Sequence, residues 1–339
     1  AGGDDMNRNW PVDWQPDYVQ GGAGEYPFSN PEPRAIGRFI MDHPNIMAAQ
    51  SYHNAGGMIL RGPGANYNES LFPGSDARVY DAIASKGELM LPYYRSMVTY
   101  RDLYTVHGGF IDFVAVGMGA YAFTNEMWNE GKYFQRDQTN PDEQKMWLFR
   151  DKLEFGQTFT PYKEFNHPQF GKVLIGGLNK WSSRVTPTFV LEEECHRNFG
   201  FTMFHADQMP IVTWGRTDVA RLGEMWVVTV EVRNEKLMPT RAAVARIKGI
   251  GANDLLIAEP AAAVSAAGTL DSWVDKRIDP VRHEPARIQF DGGIPGHGGV
   301  IVRYYLKGQE GDTLTLRYEG EKVKATQTQI KLKVTDPVP

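Results

Sequence analysis

The hydrophobic pattern of this chain changes near Pro210. Before it, short apolar runs alternate with stretches rich in Gly, Pro and Asn. After it, apolar and polar residues alternate with period two. Residues 1–34 carry Trp10, Trp14, Tyr18 and Tyr26 among turn formers, and read as irregular structure that is packed rather than floppy. Ser29, Asn30 and Pro31 then start a short amphipathic helix with Ile36, Phe39 and Ile40 at helical spacing. The run Ile46 to Tyr52 predicts a buried strand that delivers His53, and Asn54, Gly56 and Gly57 turn the chain after it. Gly62 to Ser75 reads as a loop with Tyr67, Leu71 and Phe72 folded over a neighbour. Ser75 is placed to cap a helix reaching about Tyr100, with Val79, Ile83, Leu89 and Leu91 as apolar points and a break near Gly87.

Tyr104, Gly108, Gly109 and Asp112 lead into a strand within Gly117 to Trp128. Asn140 to Glu143 resembles a capping box and opens a helix with Met146, Phe149 and Leu153 on one face. Phe170 to Gly177 reads as a strand. Pro187 to Phe204 reads as a helix containing Cys195, taken as a buried, inert small hydrophobe. Beyond Pro210, Trp226, Val228, Val230 and Val232 alternate with polar or outward positions, as do Leu314, Leu316 and Tyr318, and Ile330, Leu332 and Val334. Val244 and Ile247 fall in a further extended run, and Ala258 to Ala267 has no assignable period. Period-two strands between Gly, Asp and Pro turns predict an antiparallel β-sandwich. The expected organisation is an α/β unit over residues 1–208, a mixed sheet with helices on both faces, followed by the sandwich over residues 209–339.

Composition narrows the function classes. With 339 residues, 42% of them hydrophobic, the chain can bury a sizeable core. A net charge of −5 gives no basic footprint for nucleic acid or a membrane surface. The single cysteine rules out an intrachain disulfide and a cysteine-based metal site. No apolar run is long enough to span a membrane, and no signal peptide is visible.

The candidate chemistry centres on Glu126, a lone carboxylate in the apolar and aromatic run GMGAYAFTNEMW. A carboxylate desolvated in such a run has a raised pKa, which suits proton transfer near neutral pH; alternatively its side chain points to solvent. His53 ends a strand where α/β sheets place ligands, although a lone His is often structural. Asn7 and Arg8 form a pair able to hold a carboxylate, a planar guanidinium beside an amide; a salt bridge to a nearby Asp is the other use of Arg8. His107, three residues past Tyr104, is read as structural together with His167, His196 and His205, and Asp112 as a structural hydrogen-bonding carboxylate.

Four segments now fall in order: DDMNRNW, SYHNAGG, YTVHGGFID and AYAFTNEMW. Their types and spacing resemble the zinc carboxypeptidases, the family that includes pancreatic carboxypeptidase A, and the segment PFSNPEP also matches a family marker. The likeness covers roughly the first 130 residues and continues more loosely to about residue 205. It implies that His53 is a zinc ligand and that Asn7 and Arg8 bind a substrate's C-terminal carboxylate. It also implies that Tyr104 closes over substrate, that Ile111 lines the base of the side-chain pocket and favours an apolar C-terminal residue, and that Glu126 is the general base and acid.

The resemblance also has gaps. The family's first two zinc ligands lie in an HxxE motif upstream of the Asn-Arg pair, and no HxxE occurs in residues 1–339. The carbonyl-polarising arginine of the family also lies upstream, and Asn54 and Ala55 stand where the family has Ser and an aromatic residue. The expectation is the C-terminal part of a metallocarboxypeptidase acting on peptides with a free C-terminal carboxylate. It would be secreted or periplasmic and would need zinc ligands from a separate or preceding N-terminal segment. The alternative is a non-catalytic binding or scaffolding relative with an incomplete metal site.

Overall fold

A computed structural model describes residues 3–128, 143–180, 182 and 185–335. The first half is built on a four-stranded sheet. Its strands are β1 (Ala48–Asn54), β2 (Met58–Arg61), β3 (Arg95–Val98) and β4 (Tyr121–Met127), in the spatial order β1-β4-β2-β3. β1 runs parallel to β4 and β2 parallel to β3, while β2 and β4 are antiparallel, so the sheet is mixed as expected. The alternation of β4 explains why both faces are covered. Tyr121 and Phe123 join a cluster with Tyr80, Ile83 and Phe201, whereas Ala120 and Ala122 join Trp10, Ile40, Phe113 and Val114.

Helix α1 (Pro31–Asp42) starts at the expected Asn-Pro signal, but it buries Pro33, Gly37 and Ile40. Ile36 and Phe39 are exposed, so the apolar stripe read from spacing is not the face that packs. β1 is an edge strand of this sheet and only partly buried, contrary to the expectation of a buried strand. Helix α2 (Gly74–Met90) runs unbroken through Gly87 and stops at Met90 rather than near Tyr100, because Arg95–Val98 leaves as β3. Gly87 is there for proximity: a Cβ at that position would lie 2.7 Å from Ile59 Cδ1 and from the Phe201 ring. Phe110–Asp112 forms a helical turn that continues as a π turn over Phe113–Gly117, an element the sequence pattern did not reveal.

Helix α3 (Glu143–Lys152) occupies the capping-box region; Asn140, Pro141 and Asp142 lie outside the described residues. β5 (Phe159–His167), which the sequence pattern did not predict, pairs with β6 (Gly171–Leu178) in an exposed two-stranded ribbon. Helix α4 (Thr188–Asp207) turns Glu194, Asn198, Phe201 and His205 inward. Cys195 is exposed, which corrects its reading as buried: the helix period sets it to the side of the buried stripe of Glu194, Asn198, Phe201 and His205.

Two antiparallel sheets make up the second half. β7 (Val212–Leu222), β8 (Met225–Asn234), β10 (Val264–Leu270), β11 (Asp279–Pro280) and β13 (Gly299–Leu306) form one sheet. β9 (Asp254–Glu259), β12 (Arg287–Phe290), β14 (Thr313–Gly320) and β15 (Val323–Lys331) form the other. Val228, Val230 and Val232 of the first share one apolar cluster with Leu314, Leu316 and Tyr318 of the second. Val244 lies in a short helix, α5 (Ala243–Lys248), not in an extended run. That helix packs back onto the first half: Val244 and Ala245 sit in the cluster of Tyr121, and the buried Asp76 accepts hydrogen bonds from the amides of Ala243 and Val244 and from the Tyr121 hydroxyl, each at 2.9 Å.

Gly87→Ala is expected to lower the free energy of unfolding by about 1–3 kcal/mol through overpacking, although alanine gains about 1 kcal/mol in an open helix. Urea titration reads the sign; an increased midpoint would show that the Phe201 ring yields without cost.

Candidate functional site

Parallel pairing of β1 with β4 sets His53 opposite Glu126. On β4, Thr124 and Glu126 share one face and Tyr121, Phe123 and Asn125 the other, so the polar pair opens on a cleft while the aromatics fill the core. On β1, Ser51 and His53 share the cleft side; the Ser51 hydroxyl meets that of Thr124 at 2.7 Å. The imidazole Nδ1 of His53 lies 3.4 Å from Glu126 Oε1. Glu126 is therefore partly buried and faces a cavity, neither sunk in the core nor pointing to bulk solvent.

The cavity holds about 390 Å³ and draws its walls from three loops and the two strand ends. Asn7, Arg8, His53, Tyr104, Ile111 and Glu126, all six residues singled out in the sequence, line it. Asn7 and Arg8 lie in a 3-10 turn, Met6–Arg8, capped by Asp5, whose Oδ1 accepts the Asn7 amide at 2.9 Å. The Arg8 guanidinium donates to the Asn7 carbonyl at 2.7 Å and stands 3.7 Å from Asp5 Oδ2, a loose ion pair that a ligand carboxylate can replace. The Asn7 side chain also braces the wall: its Oδ1 accepts the Phe110 amide at 2.9 Å, which ties the Met6–Arg8 turn to the helical turn that begins there. Tyr104 is exposed at the rim and Ile111 is buried in the wall.

Asp5, Asp112 and Thr124 also line the cavity, although no motif in the sequence marks Asp5 or Thr124 and the pattern around Asp112 gives it only a structural role. Asp112 is buried, and one of its oxygens accepts the Gly64 amide at 2.8 Å while the other has no partner. Burial pushes its carboxyl from the ordinary 3.8 up to about 6; the Gly64 hydrogen bond and His107 oppose the rise and the Asp13 carboxylate adds to it. The residues His167 and His196 lie apart from this cavity. His205 is buried against Phe123 and Phe201, and burial alone lowers its pKa to about 4.

Residues 1–149 match the model of the zinc carboxypeptidase family. Solved structures similar to this chain include thrombin activatable fibrinolysis inhibitor, at 25% identity over 39% of this chain and 36% of that one, with a TM-score of 0.32. Carboxypeptidase A from Helicoverpa armigera is similar at 25% identity over 37% and 33% of the two chains, with a TM-score of 0.32. Bovine thrombin-activatable fibrinolysis inhibitor in complex with tick carboxypeptidase inhibitor gives 25% identity over 39% and 48%, with a TM-score of 0.31. This chain thus spans between a third and a half of the length of those proteins. No curated protein matches.

A catalytic zinc takes three protein ligands and keeps one position for water. Among the described residues no three His, Cys, Asp or Glu side chains converge to hold a metal ion; beside the cavity His53 has only Glu126. The described residues of this zinc carboxypeptidase-like half do not by themselves fit that metal. What they do assemble is a cation, an amide and a carboxylate–imidazole pair on one cavity. No helix of the described residues is long and apolar enough to cross a membrane.

The raised pKa of Asp112 has a consequence for stability. Between about pH 4 and 6 the folded state binds more protons at this site than the unfolded chain, so stability contributed by Asp112 is present at low pH and lost as pH rises through 6. The size is on the order of 3 kcal/mol for a shift of about two units. His205, with its depressed pKa, acts in the opposite direction over part of that range. Asp112→Asn, which retains an acceptor for Gly64, is therefore compared with wild type. The difference in unfolding free energy should change in the variant's favour between pH 4 and 7, measured by urea titration at each pH. A difference that does not vary with pH would refute the assignment.

Proposed function

We propose that the cavity is the substrate-binding side of a carboxypeptidase-type site, in which Arg8 and Asn7 take the free C-terminal carboxylate of a peptide. The observation that carries this reading is the common cavity: the Arg8 guanidinium and the His53–Glu126 pair line the same space of about 390 Å³. A guanidinium matches a carboxylate with two parallel hydrogen bonds, and a peptide fixed by its terminus presents its last amide bond to the wall that carries Glu126. Glu126 then serves as the proton carrier, taking a proton from attacking water and returning it to the leaving amine. Tyr104 at the rim contacts the terminal residue, and Ile111 borders its side chain with an apolar surface. His53 is the one zinc ligand of the family that this sequence supplies. Metal-dependent hydrolysis therefore requires two further donors, which we place in an N-terminal segment of the same protein. Residues 1–208 form the carboxypeptidase-like unit in this reading, and residues 209–339 a β-sandwich accessory domain. Secretion or a periplasmic location accords with the family.

The second reading is a non-catalytic relative that binds peptide C-termini without cleaving them. It is favoured by the lack of a three-ligand group among the described residues.

Binding of an N-blocked dipeptide and of its C-terminal amide, followed by calorimetry, tests the shared part of both readings. Wild type should prefer the acid, and Arg8→Ala should weaken acid binding by about 10- to 100-fold, as expected for truncating one partner of a charge pair, with amide binding unchanged. Equal affinity for acid and amide in wild type would discard the carboxylate clamp. Zinc analysis separates the two readings: the isolated chain should hold well under one equivalent and hydrolyse the dipeptide negligibly. Near-stoichiometric zinc with rapid hydrolysis would overturn the need for outside ligands.

A further inference from the structure

The loop from Tyr104 to Ile111 supplies two walls of the cavity yet has few bonds of its own. Its amides donate outward: Val106 to the Gly64 carbonyl at 2.8 Å, His107 to Gln20 Oε1 at 3.0 Å, Gly108 to the Asp13 carbonyl at 3.1 Å, and Phe110 to Asn7 Oδ1 at 2.9 Å. The Gly108 carbonyl in turn accepts the Trp10 amide at 3.0 Å, and a Cβ on Gly108 would come within 2.4 Å of the Arg8 carbonyl. Tyr104 and Ile111 are thus placed relative to Arg8 by contacts between loops.

Asp13 lies where these loops meet. Its Oδ1 accepts the Tyr67 hydroxyl at 2.6 Å, and its Oδ2 lies 2.9 Å from His107 Nδ1. A carboxylate can only accept, so Nδ1 is the protonated nitrogen of His107. The Tyr67 oxygen lies 3.1 Å from the same nitrogen, and the two rings stack with centroids 6.1 Å apart. Tyr67 stays a phenol: burial first, and then the Asp13 carboxylate, push its pKa up to about 12. The side chains of Asp13 and His107 are only 10% and 13% exposed. Asp13 also has a φ of +54°, the left-handed region, whose cost to a non-glycine residue Asp and Asn bear more readily than most. Glycine would remove that cost; the carboxylate is what glycine lacks. A strained residue that persists at a junction is over-determined by its contacts.

We infer that Asp13, through His107 and Tyr67, is a positioning residue of the peptide-binding cavity, holding the Tyr104–Ile111 loop and the loop of Tyr67 in register with the Arg8 clamp. This rests on the carboxylate-clamp reading of the cavity. Asp13 itself does not line the cavity, so it acts on a ligand only through the residues it places.

Two variants test it in the intact chain. Asp13→Asn tolerates the left-handed backbone and removes the charge, and Asp13→Gly relieves the backbone and removes the whole side chain. Each is measured for affinity toward the N-blocked dipeptide and its amide, and for hydrogen exchange at the amides of residues 106–110. Both variants should lose about tenfold in the ratio of acid to amide affinity. Exchange of the 107, 108 and 110 amides should accelerate, while amides of β4 keep their rates. A variant that discriminates acid from amide as wild type does overturns the inference, as does one that loses both ligands in parallel, the sign of a merely structural role. A wild type indifferent between acid and amide overturns the clamp reading and this inference with it.

Discussion

The parallel pairing of β1 with β4 is the constraint on which the site rests. In a strand, a slip of one residue turns every side chain to the opposite face. Here such a slip would send Glu126 into the aromatic cluster and Phe123 into the cleft. The register is held from beneath by polar contacts as well as by apolar packing. Asn125 points away from the cleft, donates to Asn198 Oδ1 at 2.8 Å and meets Gln50 of β1. At the end of β4, the Trp128 amide donates to Glu194 at 3.0 Å and to the Tyr94 hydroxyl at 2.9 Å. These groups are buried, so an alternative register would leave each without its partner, at about 1–3 kcal/mol apiece. Helix α4 therefore fixes the position of Glu126 without lining the cavity.

The two sides of the cavity have different kinds of support. His53, Thr124 and Glu126 sit on strands whose ladder bonds and core packing define them. Arg8, Asn7, Tyr104 and Ile111 sit on loops and single helical turns whose order comes from main-chain and side-chain bonds between loops. Asn9 illustrates the second kind: it is fully buried, donates to the carbonyls of Ala23 and Tyr26 and to Ser29, and accepts the Asn30 amide. Trp10 beside it packs edge-on against Phe28 and Phe110. A loop held by this many specific contacts behaves as an extension of the fold. Asp76 extends the same logic across the chain, since its carboxylate joins α2, the Tyr121 hydroxyl and the start of α5.

What was legible in the sequence follows from the range of the forces involved. Alternation along β8 and β14 is local and periodic, and it predicted those strands; the run read at Ile330, Leu332 and Val334 overshoots β15, which begins at Val323 and ends at Lys331. The residues of the cavity were legible because they occur in short segments whose order matches a family. Elements set by distant neighbours were not. Gly87 looked like a helix break, but Phe201, more than a hundred positions away, is what requires a glycine there. Val244 looked like part of a strand, yet the Asp76 carboxylate caps a helix at that point. Cys195 looked buried by residue type, whereas the phase of α4, set by Phe201 and Asn198, turns it outward. Asp13, His107 and Tyr67 are separated by up to 94 positions and share no motif, so nothing local could join them.

The charges of the cavity explain why a single arginine can dominate it. Asp5, Asp112 and Glu126 are acidic, and among the described residues Arg8 is the only Arg or Lys along the walls. An anionic group entering such a space is repelled everywhere except at the guanidinium, where the loose contact to Asp5 at 3.7 Å gives way to a closer one. Acidic walls thus set orientation: in the proposed carboxypeptidase-type site a terminal carboxylate would have one place to rest, and the remainder of a peptide, uncharged at its last amide, would lie toward Glu126 and His53. A neutral cavity with the same arginine would bind a carboxylate while tolerating other poses. The carboxylates act on ligand geometry by excluding alternatives, and that exclusion depends on the loops keeping Arg8 and the strand end of β4 on one cavity.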